Sequence, residues 1–288
     1  MDFVAQLTLN SIIAGSLYTL IALGFNLTFG ATKFFNLAHG VMATVAGYTV
    51  FWLTEQFGLN LFVGALIGIF AAGGVGYILD RFIYAPMRAR KASNMVLLVA
   101  SLGVFTALES IIAIIFTSQF QRLPDILTSF SHVRIAGGSI TPIHVLIILS
   151  AVVSSIGLHL LLTRTLFGKA INAVSDDEEV SKIVGIDTRK IMGQVFFIGS
   201  ALAGLAGVLV GFDTGIQPIM GLPLLLKGII AAIIGGIGRL WGGVLGAFLL
   251  AFVENFGIWH ISGEWKDAIA FGLLILFLIF RPEGIIKK

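Results

Sequence analysis

Apolar and polar positions alternate here on the scale of whole segments, not of single residues. No charge occurs between Asp2 and Lys33, and long uncharged stretches recur to the end of the chain. Each is near the 20 residues that a helix needs to cross a hydrocarbon core of about 30 Å. The pattern predicts spans over 3–29, 35–54, 61–79, 95–118, 143–163, 191–212, 241–259 and 268–280. A shorter stretch, 224–237, is expected either to cross or to re-enter. The fold class is therefore all-α and polytopic, with about eight or nine transmembrane helices in a single domain over 1–288. The first stretch lacks a basic leader and is expected to be a retained span.

Two segments interrupt the apolar pattern. Residues 30–40 (GATKFFNLAHG) split what would otherwise be one long helix, and 218–243 holds two prolines and repeated glycines. A broken helix is tolerated in a bilayer only where protein or a water-filled cavity satisfies the freed backbone groups. One break in each half of a chain is the usual pointer to a transport path. A pair of interfacial loops is the alternative for either segment alone.

Charge adds sidedness. The segments around Lys33, Arg81 to Lys91, Arg164 to Lys190, Arg239 and Arg281 to Lys288 carry fourteen of the eighteen Lys and Arg residues. The positive-inside rule puts these segments in the cytoplasm, with the N-terminus outside and the C-terminus inside. This assignment requires 224–237 to cross. Composition agrees with a membrane solvent: 57% hydrophobic residues, 11% charged, and 35 glycines in 288 residues. No cysteine is present, which excludes disulfides and thiol chemistry. The net charge of +3 sits at membrane edges and is not a nucleic-acid signal.

The most polar intracellular segment is 168–190 (GKAINAVSDDEEVSKIVGIDTRK). Ser175 and Glu178 have capping-box spacing, and Asp176, Asp177, Glu178 and Glu179 suit the positive end of a helix dipole. Gly185, followed by Ile186, is placed to end the helix in a left-handed cap. A helix over 176–184 is expected, with Val180, Ile183 and Val184 as its apolar stripe. Four acids disfavour an anionic leaflet, so a protein partner is the better occupant.

Several residues inside the spans carry weight one by one. Glu109 lies mid-span, where a carboxylate must be protonated, paired or hydrated. His39 and Asn36, on the first interruption, either line a path or are satisfied structurally. Glu254 reads as near the outer surface and solvated, and His159 as a structural histidine. Gly199, Ala203, Gly207 and Gly211 form a smooth stripe for close helix approach. Asn26-Leu27-Thr28 matches a glycosylation acceptor but lies within a span and is discounted.

The ordered set of motifs resembles the permease subunits of branched-chain amino acid ABC transporters of the LivH type. It comprises 10–40 with its Asn-Leu-Ala-His-Gly ending, Tyr84-Ala85-Pro86-Met87-Arg88, Ser101-Leu102-Gly103, 201–211 with Pro218, Met220, Gly221, Lys227, Gly235, Gly236, Gly242 and Gly243, and Arg281-Pro282-Glu283-Gly284. The resemblance implies an ABC importer permease fold in a bacterial cytoplasmic membrane. It also implies a second homologous permease subunit, two cytoplasmic ATPase subunits, and a soluble substrate-binding protein on the outer face.

The resemblance makes 168–190 the ATPase-coupling loop, through Gly168, Ala170, Ala173, Ser175, Asp176, Asp177, Glu178, Glu179, Gly185 and Ile186. Asn172 departs from the family pattern, where Arg is usual, and Val180 and Ser181 replace two alanines. Asn36, His39, Gly40, Gly103 and Glu109 are the candidate translocation-path residues. Val41 stands where the family often has an acid. No catalytic residue, cofactor or metal is expected. The chain lacks a phosphate-binding Gly-x-x-x-x-Gly-Lys-Ser/Thr loop, so ATP hydrolysis belongs to a partner. Branched-chain amino acids or related small polar or amide solutes are the implied cargo. A stand-alone secondary transporter or channel is the alternative. An intramembrane enzyme lacks its motifs.

Overall fold

The computed structural model describes residues 2–123, 133–135, 137–259 and 262–286. Its elements follow the apolar pattern closely. Helix α1 runs Asp2–Thr32, α2 Val41–Phe57 and α3 Leu61–Leu79. A π-helical turn, Asp80–Tyr84, leads into α4 (Ala85–Ala89), and α5 follows at Asn94–Phe116. Strands β1 (Val133–Ile135) and β2 (Gly138–Ile140) pair antiparallel, with Arg134 opposite Ser139. Helix α6 is Pro142–Arg164, and α7 (Leu166–Asp176) and α8 (Glu178–Ile183) form a short helical pair. Helices α9 (Thr188–Asp213), α10 (Gly221–Gly235), α11 (Leu240–Gly257) and α12 (Lys266–Phe280) complete the chain. Among the described residues, eight helical segments are long and apolar enough to cross a membrane. The 15-residue α12 follows them.

The segment 224–237 falls largely in one of the eight helical segments long and apolar enough to cross a membrane. It belongs to the apolar stretch Pro218–Gly235, which enters through a 3₁₀ turn at Pro218–Met220 and leaves at Gly236. All five basic segments consequently meet at one end of the bundle. There, Asn94 Nδ2 donates to the Lys33 carbonyl at 3.2 Å, and Lys33 Nζ reaches Ser175 Oγ at 3.3 Å. The Arg239 guanidinium donates to the Ile286 carbonyl, which ties in the C-terminal tail. At the opposite end, Gln6 clasps Ser139 of β2, donating to its carbonyl at 3.2 Å and accepting from its N–H at 2.8 Å. Gln121 and Ile216 form an isolated bridge there.

Helices α1 and α9 are the central posts, with α1 packed on α11, α9 and α10, and α9 packed on α3 and α2. The small-residue stripe on α9 makes these approaches possible. A Cβ at Gly199 would lie 2.9 Å from the Gly24 carbonyl oxygen of α1, and one at Gly207 would lie 2.1 Å from the Ala43 carbonyl oxygen of α2. The stripe therefore serves contacts within the chain. Tight crossings of this kind exchange side-chain volume for close backbone packing.

The same logic holds between α10 and α11, where a Cβ at Gly235 would lie 1.7 Å from the Gly242 carbonyl oxygen. Gly235→Ala is expected to lower the detergent-solubilised chain's melting temperature, since overpacking costs about 1–3 kcal/mol. Gly74→Ala, with open space around its Cβ position, is expected to leave the melting temperature nearly unchanged. Equal shifts in the two variants would contradict this packing.

Candidate functional site

The first interruption is built from the residues that break it. Helix α1 stops at Thr32, and Lys33 takes a left-handed conformation (φ 58°) that no helix continues. The chain then turns back into the bundle and forms a 3₁₀ turn, Leu37–His39. Asn36 caps this turn, its Oδ1 accepting from Ala38 N at 3.1 Å and from the Tyr84 hydroxyl at 3.2 Å. Ser101 of α5 accepts from Leu37 N at 3.0 Å. The freed backbone is thus satisfied by the turn's own Asn36, which Tyr84 braces, and by Ser101 of α5, as a break in a bilayer requires.

The turn lies well inside the bundle. His39 packs against Gly24, where a Cβ would come within 2.8 Å of the imidazole. Gly24 is eight residues before Thr32, about 12 Å along α1 at 1.5 Å per residue. The second interruption brings its own 3₁₀ turn to the same depth. A Cβ at Gly40 would lie 2.6 Å from the Gly221 carbonyl oxygen, and one at Gly221 would lie 2.7 Å from the Gly40 carbonyl oxygen. The starts of α2 and α10 therefore cross backbone to backbone. His39 and Thr44 flank this crossing, both fully buried. The Thr44 hydroxyl and both His39 ring nitrogens meet no hydrogen-bond geometry among the described residues. The Ile21 backbone is a hydrogen-bonding neighbour of the imidazole.

Of the five path candidates, Asn36, His39 and Gly40 come together at this crossing. Gly103 and Glu109 lie on α5, which packs against both 3₁₀ turns through residues such as Phe105. Gly103 is exposed with open space at its Cβ position, and Glu109 is half-buried. Six residues apart on a helix, they point about 120° away from each other. They do not join the Asn36–His39–Gly40 group.

The polar segment 168–190 is two helices where the sequence suggested one. Thr165 caps α7, accepting from Gly168 N at 2.9 Å. Gly168 is pressed onto the end of α6, where a Cβ would lie 2.1 Å from the Leu161 carbonyl oxygen, so only glycine permits this turn. Ala170 and Ala173 are half-buried on α7, beside the buried Ile171 and Val174. Asp177, not Ser175, caps α8. Its Oδ1 accepts from Glu179 N at 2.9 Å and Val180 N at 3.0 Å. The expected helix over 176–184 is thereby corrected to Glu178–Ile183, and Asp176 ends α7. Ser175 sits inside the last turn of α7, and its hydroxyl donates to the Gly30 carbonyl at 2.7 Å. An aspartate two residues downstream outcompetes it because Asp is at least as good a cap and this register frees Ser175 to bond across.

Gly185 has the expected positive φ (89°), and Ile186 N donates to the Ser181 carbonyl at 3.0 Å, closing the helix. Glu178 pairs with Lys182 at 2.6 Å and accepts from the Thr188 hydroxyl at 3.4 Å. Asp176, Asp177 and Glu179 are exposed. The apolar stripe is bare, with Ile183 84% exposed. A groove of about 520 Å³ nearby is lined by Arg88, Lys91, Glu178, Glu179, Lys182 and Arg189.

One buried charge group departs from expectation. Glu254 is not solvated; it is 1% exposed. Lys227 of α10 reaches it at 2.5 Å, the Tyr18 hydroxyl donates to its second oxygen at 2.8 Å, and Lys227 also meets Asp267 at 2.8 Å. The group is anchored on four helices, and its members lie too far apart in sequence for any spacing to reveal it. His159 has the structural role expected, accepting from the Trp241 indole at 3.3 Å.

Apolar helices crossing the bundle around two inserted turns define a multi-pass membrane transport protein. The model of the family "Branched-chain amino acid transport system / permease component" matches residues 7–278, and the chain belongs to that family. It is a permease subunit, with the all-helical ABC importer permease architecture that the motifs implied. The chain is 32% identical, over 98% of its length and 95% of the relative's, to the high-affinity branched-chain amino acid transport system permease protein BraD of Pseudomonas aeruginosa. It is 29% identical, at the same coverages, to LivH of Escherichia coli K12. A second permease protein of that organism, LivM, is 23% identical over 94% of this chain and 68% of its own length.

The Lys227–Glu254 pair yields a stability prediction. Lys227→Met leaves Glu254 buried without its cation, a loss of about 3–5 kcal/mol in comparable sites. The double variant Lys227→Met/Glu254→Leu is expected to recover most of that loss in a thermal unfolding assay. A double variant less stable than Lys227→Met would contradict the pairing.

Proposed function

We propose that this chain is one half of the membrane path of an ATP-driven importer for branched-chain amino acids or chemically related small solutes. The observation that carries the mechanism is the bare apolar stripe Val180, Ile183 and Val184 on a capped helix at the basic end of the bundle. Exposed aliphatics beside exposed carboxylates suit a protein partner with a mixed surface, and α8 serves as the ATPase-coupling helix. The wider loop 168–190 is held in shape by Gly168, Thr165 and Gly185 and presents Asp176, Asp177, Glu178 and Glu179 to that partner. The basic end faces the cytoplasm by the positive-inside rule, which puts the C-terminus there and the N-terminus outside.

The path follows from the inserted turns. Closed as they are at Gly40 and Gly221, they seal the bundle near mid-depth. Thr44 beside the seal keeps hydrogen-bonding capacity that a purely structural core would have satisfied, and the His39 ring has one nitrogen more than its Ile21 neighbour can meet, since a buried unmet polar group costs about 1–3 kcal/mol. Closure of two ATPase subunits would move α7 and α8 and part the turns. The bare outer face of α5, with Gly103, faces the second permease subunit. Resemblance to both LivH and LivM of one organism supports a related but different chain as that subunit. A soluble binding protein delivers solute at the opposite end. A secondary transporter explains the inserted turns equally well but leaves the bare stripe on α8 without a purpose.

The test is co-purification and transport. Val180→Ser/Ile183→Ser/Val184→Ser is expected to lose ATPase co-purification and to cut ATP-driven uptake in proteoliposomes at least tenfold, with the permease still folded. Uptake that continues with the ATPase omitted would overturn the importer reading.

A further inference from the structure

Three parts of the molecule converge on Gly30. The first is the end of α1, where the Gly30 carbonyl is among the last-turn acceptors that lack an intrahelical partner. The second is α7 of the docking segment, whose Ser175 hydroxyl fills that vacancy at 2.7 Å while accepting from Lys33 Nζ at 3.3 Å. The third is the turn between α10 and α11, which is the far end of the second interruption. Asn26, one helical turn before Gly30, clasps it from both directions. Its Nδ2 donates to the Arg239 carbonyl at 3.0 Å, and its Oδ1 accepts from Gly238 N at 2.9 Å. A Cβ at Gly30 would sit 3.8 Å from Ser175 Oγ and 3.9 Å from the Gly238 carbonyl oxygen, so these parts touch at a single point.

The joint is specific and has room to work. Asn26 is 3% exposed. The clasped turn uses backbone that only glycine adopts readily, with φ of 109° at Gly236 and 80° at Gly238. A small cavity of about 50 Å³, lined by Asn26, Gly30, Ile171, Ser175 and Gly238, lies alongside. Helix α7 is therefore packed through Gly168, Ile171 and Val174 and, at its C-terminal end, tied to α1 by the directional Ser175 bond.

We infer that Asn26 and Ser175 are positioning residues that join the docking segment to both interrupted segments, so that one displacement of α7 reaches both inserted turns together. This rests on the importer reading above and adds the route by which the partner's work arrives. Ser175 acts at this joint and not at the docking face, and Asn26 acts with it as a pair.

The experiment compares the intact complex of wild-type chain, second permease, ATPases and solute-loaded binding protein with Ser175→Ala, Asn26→Ala and the double variant in proteoliposomes. Expected in each alanine variant are wild-type ATPase stoichiometry, continuing hydrolysis, and a drop of about fivefold or more in solute moved per ATP, the scale of a lost coupling energy. The double variant should be no worse than the poorer single one, since both residues serve one joint. Ser175→Thr, which keeps the hydroxyl, should restore the ratio. An unchanged ratio in both alanine variants would overturn the inference, and so would parallel loss of ATPase binding, which marks a purely structural role. Failure of the importer reading shows separately, as wild-type uptake that needs no ATPase.

Discussion

Breaking a helix inside a bilayer strands backbone donors and acceptors where no water can meet them, and each costs several kcal/mol if left alone. This chain breaks the helical pattern twice and satisfies the breaks with side chains held elsewhere. Asn36 and Ser101 serve the first turn, Asn26 serves the turn between α10 and α11, and Ser175 takes the end of α1. The arrangement of the other helices follows from that demand. Helices α5, α7 and the π-helical turn carrying Tyr84 must all stand close to the inserted segments. The glycine contacts along α9 bring α1, α2 and α3 near enough to make this possible.

The same constraint links stability to function. A break satisfied by distant groups is also a break that those groups can move. Ser175 belongs to α7 and Gly30 to the first interruption, so the bond that completes one end also ties the two segments together. The Lys227, Glu254 and Tyr18 group works the other way. It locks α10 and α11 to α1 within the bundle.

Much of this was legible in the sequence because membrane spans are written in composition. Their ends fell within a few residues of the observed helices, and the positive-inside count required a crossing at 224–237, where the structure has a helical segment long and apolar enough to make one. Local capping signals were less reliable. Ser175 and Asp177 are both good caps, and the choice between them was made by Gly30, 145 residues away. Asn26 was discounted because its neighbours spell a surface motif, yet its amide holds the turn between α10 and α11. Glu254 seemed solvated because its lysine lies 27 residues earlier and its tyrosine 236. Such long-range polar pairings carry no periodicity, and one sequence cannot display them.

The central claim is that the contact between Gly40 and Gly221 closes a path that the ATP cycle opens. The chain has no cysteine, so a single thiol introduced by Thr44→Cys reports on that contact alone. With cysteine-free partner subunits in proteoliposomes, its reaction with a water-soluble maleimide would be timed at rest and during ATP turnover with loaded binding protein. The account predicts a protected thiol at rest and at least tenfold faster labelling during turnover. Equal rates in the two states would contradict it.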